Sequence, residues 1–160
     1  MFEQPPHTHL AQLNVAKALD DLESDRLRDF VGALDGVNAK ADRSPGFVWR
    51  LRDDTEDLSS ISAADDPRLI LNLSVWETPE ALENFVWQSI HKRVYRKRAK
   101  WFEAPREAYF VMWWVPEGHR PTLDEALERL ERLRALGPTP EAFGWESLPS
   151  ATLWRSGRCA

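Results

Sequence analysis

A chain of 160 residues with 21 Lys and Arg, 26 Asp and Glu and 42% hydrophobic residues predicts one folded domain, with a core over about 9–145 and a tail over 146–160. The acidic balance does not favour a nucleic-acid partner, and no apolar run is long enough for a membrane helix. The lone Cys159 cannot form an internal disulfide, and the N-terminus has no signal-peptide pattern, so we expect a cytoplasmic protein. Eight tryptophans are the unusual feature, because about two or three are ordinary at this length.

The predicted elements follow one another in the order β-α-β-β-α-β-α. Period-two runs predict strands, and recurring apolar residues at helical spacing predict helices. Thr122 and Glu125 form a capping box before the third helix, and Gly137 follows its end. The predicted strands are Leu10–Val15, Phe47–Leu51, Arg68–Trp76 and Ala108–Val115, and the predicted helices cover about 27–41, begin at Pro79 and begin at Leu123.

The second helix changes character along its length. Its apolar stripe from Leu82 to Ile90 would turn basic within 92–100 if the helix continued straight, so we expect a break near Ser89–His91. The basic stretch suits either an anionic partner or pairing with acidic residues of a second subunit. A second feature without a definite interpretation is the polar loop over 52–67, which is typical either of a segment near a functional site or of disorder.

The third and fourth strands are apolar on both faces. Leu71 and Val75 oppose Ile70 and Trp76, for example, and Trp113 opposes Trp114. A sheet with helices on only one side would leave one such face bare. The pattern therefore predicts a homodimer in which two sheets pack face to face.

Several stretches resemble an uncharacterised bacterial family of the dimeric α+β barrel superfamily, which also contains antibiotic-biosynthesis monooxygenases and haem-degrading monooxygenases. The resemblance covers nearly the whole chain. It is carried by HLAQLN (His9–Asn14), GFVWRL (Gly46–Leu51), LSVWE (Leu73–Glu77), HKRVYRKRAKWF (His91–Phe102), WWVPEGHRPT (Trp113–Thr122) and AFGW (Ala142–Trp145).

This resemblance implies an α+β fold: a ferredoxin-like β-α-β-β-α-β sheet with an extra C-terminal helix, paired as a dimeric barrel, with a ligand cavity between sheet and helices. It implies that Asn14 faces a substrate, that Trp87 or Phe85 shapes the cavity, and that His91 is a catalytic base or, if haem binds, the iron ligand. Trp87 lies only four residues before His91, whereas the haem-degrading relatives separate the matching pair by nearly three turns.

The other candidate binding residues each have two interpretations. Arg50 could bind a substrate carboxylate, or it could pair with an acidic residue of its own domain. Three strand tryptophans could line a pocket for a flat ligand or belong to the core, namely Trp76, Trp113 and Trp114. Asn14 and His91 could likewise be ordinary hydrogen-bonded residues. No third ligand accompanies His7 and His9, so we predict no metal site.

These observations lead to a first hypothesis of a monooxygenase-like enzyme, either without a cofactor or dependent on haem, which acts on a flat hydrophobic or phenolic small molecule. No dinucleotide-binding or P-loop motif is present. The alternative is a homodimer that binds or senses a ligand without catalysis.

Overall fold

The computed structural model describes residues 2–52, 62–63, 66–88 and 97–151. It contains five strands: β1 Thr8–Lys17, β2 Phe47–Arg50, β3 Ser62–Ala63, β4 Asp66–Trp76 and β5 Phe110–Pro116. Three longer helices accompany them: α1 Arg28–Asp42, α2 Pro79–Gln88 and α3 Leu123–Leu136. Residues 97–101 are also helical, and short 3₁₀ turns lie at Asp25–Leu27 and Trp145–Ser147.

The strands form one antiparallel sheet in the order β2-β4-β1-β5, with the two-residue β3 paired to β4. With the crossover helices α1 and α2, this is the α+β, ferredoxin-like arrangement that the sequence predicts, and the predicted order of major elements is confirmed. The polar loop, however, contains β3 and the beginning of β4, because Ser62 and Ala63 pair back on that strand. The predicted break near Ser89–His91 lies outside the described residues.

The two sheet faces carry different helices. Even-numbered residues of β1, β4 and β5 face α1 and α2, where Leu10 and Trp76 pack with Ala41 and Leu82. Odd-numbered residues of the same strands form the opposite face, which packs against α3 through residues such as Leu130. We call these surfaces the even face and the odd face.

The packing of the odd face corrects the argument that predicted a homodimer, namely that one face of the sheet would be left bare. The side chains expected to be bare, such as Leu73, Val75 and Trp113, are buried within this chain, together with Ala126 and Leu130 of α3. The C-terminal helix therefore supplies the cover that a second sheet was expected to supply. The homodimer stays a prediction, but it no longer follows from an uncovered face.

Local sequence signals explain how the helices begin and end. The Thr122 hydroxyl accepts a hydrogen bond from the Glu125 backbone N–H, as the capping box predicts, and Gly137 ends α3 with a φ of 72°. Gly46 has a φ of 81°, and a Cβ there would lie 2.5 Å from the Ala81 Cβ. Glycine at 46 therefore allows the turn into β2 to pass close against α2.

The sheet edges differ in how they are covered. Met112 of β5 exchanges two backbone hydrogen bonds with Phe143, at 2.8 and 2.9 Å, so the chain after α3 covers that edge. Phe143 and Leu148 are buried, so the chain that follows α3 packs on the domain at these residues. The strand at the opposite end of the sheet, β2, has β4 as its only strand partner among the described residues.

Candidate functional site

A row of polar side chains crosses the even face between two apolar clusters. Strand register places Asn14 opposite Asn72, and Gln12 opposite Ser74. On one side lies the apolar cluster containing Leu10, Trp76, Leu82 and Met112; on the other lies the cluster containing Ala18, Phe30, Ile70 and Trp101. We call the four side chains Gln12, Asn14, Asn72 and Ser74 the polar row.

Hydrogen bonds within the polar row hold three of its members in place. The Gln12 Nε2 donates to Asn72 Oδ1 at 2.8 Å and to Ser74 Oγ at 2.7 Å. The Trp76 indole Nε1 donates to the same Ser74 oxygen at 2.9 Å. Since Ser74 Oγ already accepts two N–H groups, its own hydrogen is available for donation elsewhere.

Asn14 differs from its neighbours because its side-chain amide makes no hydrogen bond within the described part of the chain. It is half-buried, and the facing Asn72 is exposed, so this part of the row is accessible to solvent. An amide of this kind offers two N–H donors and one oxygen acceptor to a ligand. The resemblance implied that Asn14 faces a substrate, and its position on the even face is compatible with that role.

Aromatic side chains flank the polar row on the α2 side. Phe85 stacks on the buried Trp76, with ring centres 5.2 Å apart and ring planes inclined by 24°. Trp114, on the even face of β5, packs against Phe143 with ring centres 5.3 Å apart. Trp87 is half-buried on α2. Both Trp76 and Phe85 therefore contribute to the apolar cluster beside Ser74, as core side chains that border the row.

For two of the predicted site residues, the structure shows contacts within the domain instead of a position in a ligand cleft. The Arg50 Nε donates to Asp42 Oδ1 at 2.8 Å, and Arg52 also binds this carboxylate, at 2.9 Å. Arg50 is thus paired within its own domain. Trp113 lies on the odd face and is fully buried beside α3, so it is separated from Asn14 by the sheet and belongs to the core. The prediction that Trp113 lines the cleft is therefore corrected.

His91 lies outside the described residues, and so do Lys92, Arg93 and Arg96 of the basic stretch. The described remainder of that stretch, Lys97, Arg98 and Lys100, is exposed. No group of three or more His, Cys, Asp or Glu side chains positioned for a metal ion occurs among the described residues. His119, in the loop before α3, binds Glu125 through its Nε2 at 2.8 Å.

Sequence reasoning missed most of the polar row. Gln12 is 5% exposed and Ser74 is also 5% exposed, yet neither was singled out. The available signal was the period-two pattern of β1, which places Gln12 on the same face as Asn14. Asn72 and Ser74 show the same spacing on β4. A further missed residue is Glu83, a buried carboxylate on α2.

The carboxylate of Asp42 has a clearly lowered pKa. Hydrogen bonding from the Arg50 guanidinium is the main cause that lowers the pKa of Asp42, and attraction to Arg50 and Arg52 adds to it, while burial acts in the opposite direction. Asp42 therefore stays ionised beside its two arginines throughout the neutral range.

The topology and the polar row define the class of protein: an α+β, ferredoxin-like sheet with a polar, partly open strip beneath its crossover helices. Within that class, the chain belongs to the family described as "Domain of unknown function (DUF3291)", whose profile matches residues 9–159. A comparison with curated proteins finds no match. In the described part of the chain, no helix has the length and apolar character needed to cross a membrane.

Solved structures that are similar to this chain include the following three. A "putative antibiotic biosynthesis monooxygenase" from Nitrosomonas europaea shares 17% identity at a TM-score of 0.45, over 76% of this chain and 99% of its own. The protein PA3566 from Pseudomonas aeruginosa shares 14% identity at 0.47, over 70% and 96%. NE2512, a protein of unknown function from Nitrosomonas europaea, shares 11% at 0.45, over 74% and 97%.

Proposed function

We propose that the polar row is the floor of a binding site for a flat aromatic molecule with an acidic hydroxyl group, and that the protein oxygenates this molecule. The observation that carries the proposal is the Asn14 amide, which has no hydrogen-bond partner in the described chain and lies between two apolar clusters. Apolar walls would hold the rings of such a molecule, and a few polar groups would set its orientation.

The chemical role of Asn14 is to stabilise negative charge on the substrate. An amide N–H that donates to a phenolate or enolate oxygen favours the ionised form of that group. The anion is the species that transfers electrons to O₂. For a methylene carbon between two aromatic rings, the carbon loses two hydrogens and gains one oxygen atom as a ketone, and the second oxygen atom leaves as water. The substrate supplies all the electrons, so the balance needs no further reductant.

The base that removes the substrate proton is assigned only by resemblance, to His91. Haem is the cofactor that the same resemblance offers, again through His91. That residue lies outside the described part of the chain. The proposal therefore rests on the polar row and takes the reaction without a cofactor as its leading form.

The test measures oxygen consumption with a hydroxyanthrone as the probe. We expect uptake above the rate of autoxidation, with formation of the matching quinone followed by absorbance. Asn14→Ala should lower the rate about tenfold to a hundredfold, because the loss of one donor to a developing oxyanion typically has an effect of this order or larger. Asn84→Ala, on the exposed side of α2, is the matched control and should retain the rate.

Two results would contradict the oxygenase. One is uptake no faster than autoxidation, and the other is an equal loss in both asparagine variants. Haem dependence is tested separately by an absorbance spectrum of the protein with added haem. A Soret shift that is lost in His91→Ala would favour a haem-dependent reaction over the reaction without a cofactor.

A second candidate function is ligand binding without catalysis. It is favoured by the internal hydrogen bonds of Gln12, Asn72 and Ser74, since these make the row a rigid surface with few free groups. Hydroxyanthrone would then raise the melting temperature of the protein, and Asn14→Ala would abolish that increase, without any oxygen uptake.

A further inference from the structure

We propose that a groove along the open edge of β2 is a second binding site, separate from the polar row, for a small aromatic carboxylate. The groove has a volume of about 340 Å³ and is lined by residues 47–52 together with Arg120. This volume is within the range of small-molecule sites, which is about 300–1,000 Å³. Nothing in the proposed oxygenase reaction requires it.

Among the described residues, β2 pairs with β4 on one side only, which leaves backbone groups of its other edge without a strand partner. The Leu51 N–H donates to the Leu73 carbonyl of β4 at 2.9 Å, and Trp49 lies opposite Val75. Neighbouring residues of an antiparallel strand point their backbone groups in opposite directions. The register of β2 shifts between Phe47 and Trp49, so this alternation applies to Arg50, whose N–H and C=O groups therefore point away from β4, into the groove. They can serve a ligand that lies along the strand.

The charge of the groove is positive although the whole chain has a net charge of −5. Three guanidinium groups line it, those of Arg50, Arg52 and Arg120, and one carboxylate, that of Asp42, binds the first two. Arg120 is exposed and forms no ion pair with any residue that the structure describes. Among the described residues, three cations and one anion leave an excess of two positive charges, which favours an oxyanion.

The groove also has exposed apolar surface, which indicates the chemistry of the part of the ligand that carries no charge. Val48 is 37% exposed and Leu51 is 39% exposed, and both are among the few large hydrophobic side chains with that much exposure in the described chain. Trp49 is half-buried beside them. Arginine binds a carboxylate through two parallel hydrogen bonds and also stacks on flat rings. An aromatic carboxylate satisfies both features.

The experiment titrates the protein with 1-naphthoate and, in parallel, with 1-naphthamide, the neutral analogue of nearly the same shape. Binding is followed by the NMR signal of the Trp49 indole N–H, which is assigned as the peak lost in Trp49→Phe. We expect naphthoate to shift this signal with saturation and naphthamide to shift it at least tenfold more weakly. Raising the salt concentration should weaken the naphthoate response, because exposed charges are screened.

Matched arginine variants locate the site. Arg52→Gln and Arg120→Gln should each raise the naphthoate dissociation constant about threefold to tenfold. Arg28→Gln is the control, because Arg28 is also exposed and paired with one carboxylate, that of Asp25. Arg28 lies at the opposite end of α1 from Asp42, roughly 20 Å away along the helix. The control substitution should leave the dissociation constant unchanged.

Several outcomes would overturn the groove as a carboxylate site. They are equal binding of naphthoate and naphthamide, equal weakening by all three arginine variants, and naphthoate binding without any response of the Trp49 signal. Asn14→Ala separates this proposal from the oxygenase: naphthoate binding that is lost in that variant would place the ligand on the polar row instead. Binding that persists there supports the groove, whether or not oxygen uptake is found.

Discussion

At the scale of single residues, the polar row shows how one hydroxyl can stabilise several neighbours. Ser74 Oγ is the common acceptor for the Gln12 amide and the Trp76 indole, and all three side chains are buried. A buried N–H donor that loses its acceptor costs about 1–3 kcal/mol. The row is therefore a set of coupled groups, in which removal of the acceptor affects two donors together.

Ser74→Ala should lower the free energy of unfolding by about 1–3 kcal/mol, since the Trp76 indole loses its acceptor and Gln12 Nε2 retains only its bond to Asn72. In a Trp76→Phe background the same substitution should cost less, because only the Gln12 donor remains. Urea unfolding of the four proteins in this double-mutant cycle measures the difference. Equal costs in both backgrounds would show that the indole does not depend on Ser74.

The Asp42 carboxylate is the second residue with a measurable consequence. Asp42→Asn should destabilise the protein by about 1 kcal/mol at pH 7, because the charge-assisted bonds from Arg50 and Arg52 are lost. The folded-state pKa of Asp42 is below its unfolded value, so its stabilisation is complete above the unfolded pKa, about 3.9, and is lost as the pH falls through the folded pKa.

The free energy of unfolding of wild type and Asp42→Asn, measured at several pH values, should therefore differ at pH 7 and converge as the pH falls through the folded-state pKa of Asp42. Asp35→Asn is the control, since Asp35 is exposed on the same helix and has no ion pair among the described residues. If Asp35→Asn reproduced the pH dependence, general charge effects would explain the result.

At the scale of elements, hydrophobic periodicity was sufficient to predict the four main strands and the three helices. Alternation in β1 and helical spacing in α3 are local patterns, and local patterns remain visible in one sequence. The face that α3 covers could not be predicted in the same way. An amphipathic helix shows that it packs on something, but its apolar stripe does not identify the sheet face that receives it.

Less of the candidate site than of the fold could be predicted, because contacts between distant parts of the chain leave no local pattern in the sequence. Asn14 came from resemblance, whereas the contact of Arg50 with Asp42 joins β2 to the end of α1 and depends on tertiary packing. The alternative of an internal ion pair was available from the cost of burying a lone charge, but its partner was not. Trp113 and Trp114 are neighbours in sequence, and only the sheet register shows which one shares a face with Asn14.

The packing of α3 gives a prediction for the element itself. Leu130 is 2% exposed on the odd face, and Leu136 is 69% exposed on the same helix. Leu130→Ala should lower the free energy of unfolding by about 2–5 kcal/mol, because it removes buried methyl groups and leaves a cavity. Leu136→Ala should change it by about 0.5 kcal/mol or less. Similar effects of the two variants in urea unfolding would mean that α3 does not cover the sheet.

At the scale of the whole molecule, both sheet faces are covered within a single chain. Helices α1 and α2 pack on the even face, α3 packs on the odd face, and residues 142–143 pair with the edge of β5. The edge of β2 is the part of the sheet that remains available in the described chain. A chain that buries its own faces can fold without a partner, so folding and association become separate questions.

This separation predicts how stability depends on protein concentration. If two sheets packed face to face to complete the core, dissociation and unfolding would be linked, and the unfolding midpoint would rise with concentration. We expect instead the same urea midpoint at about 1 and 100 μM, because α3 already fills that position. Sedimentation equilibrium over the same range of protein concentration gives the mass of the protein in solution, which is compared with 18.5 kDa for one chain. A midpoint that rises together with a doubled mass would show that unfolding is linked to dissociation of a dimer, and would contradict the expectation. An unchanged midpoint with the mass of one chain would show that the chain folds without a partner.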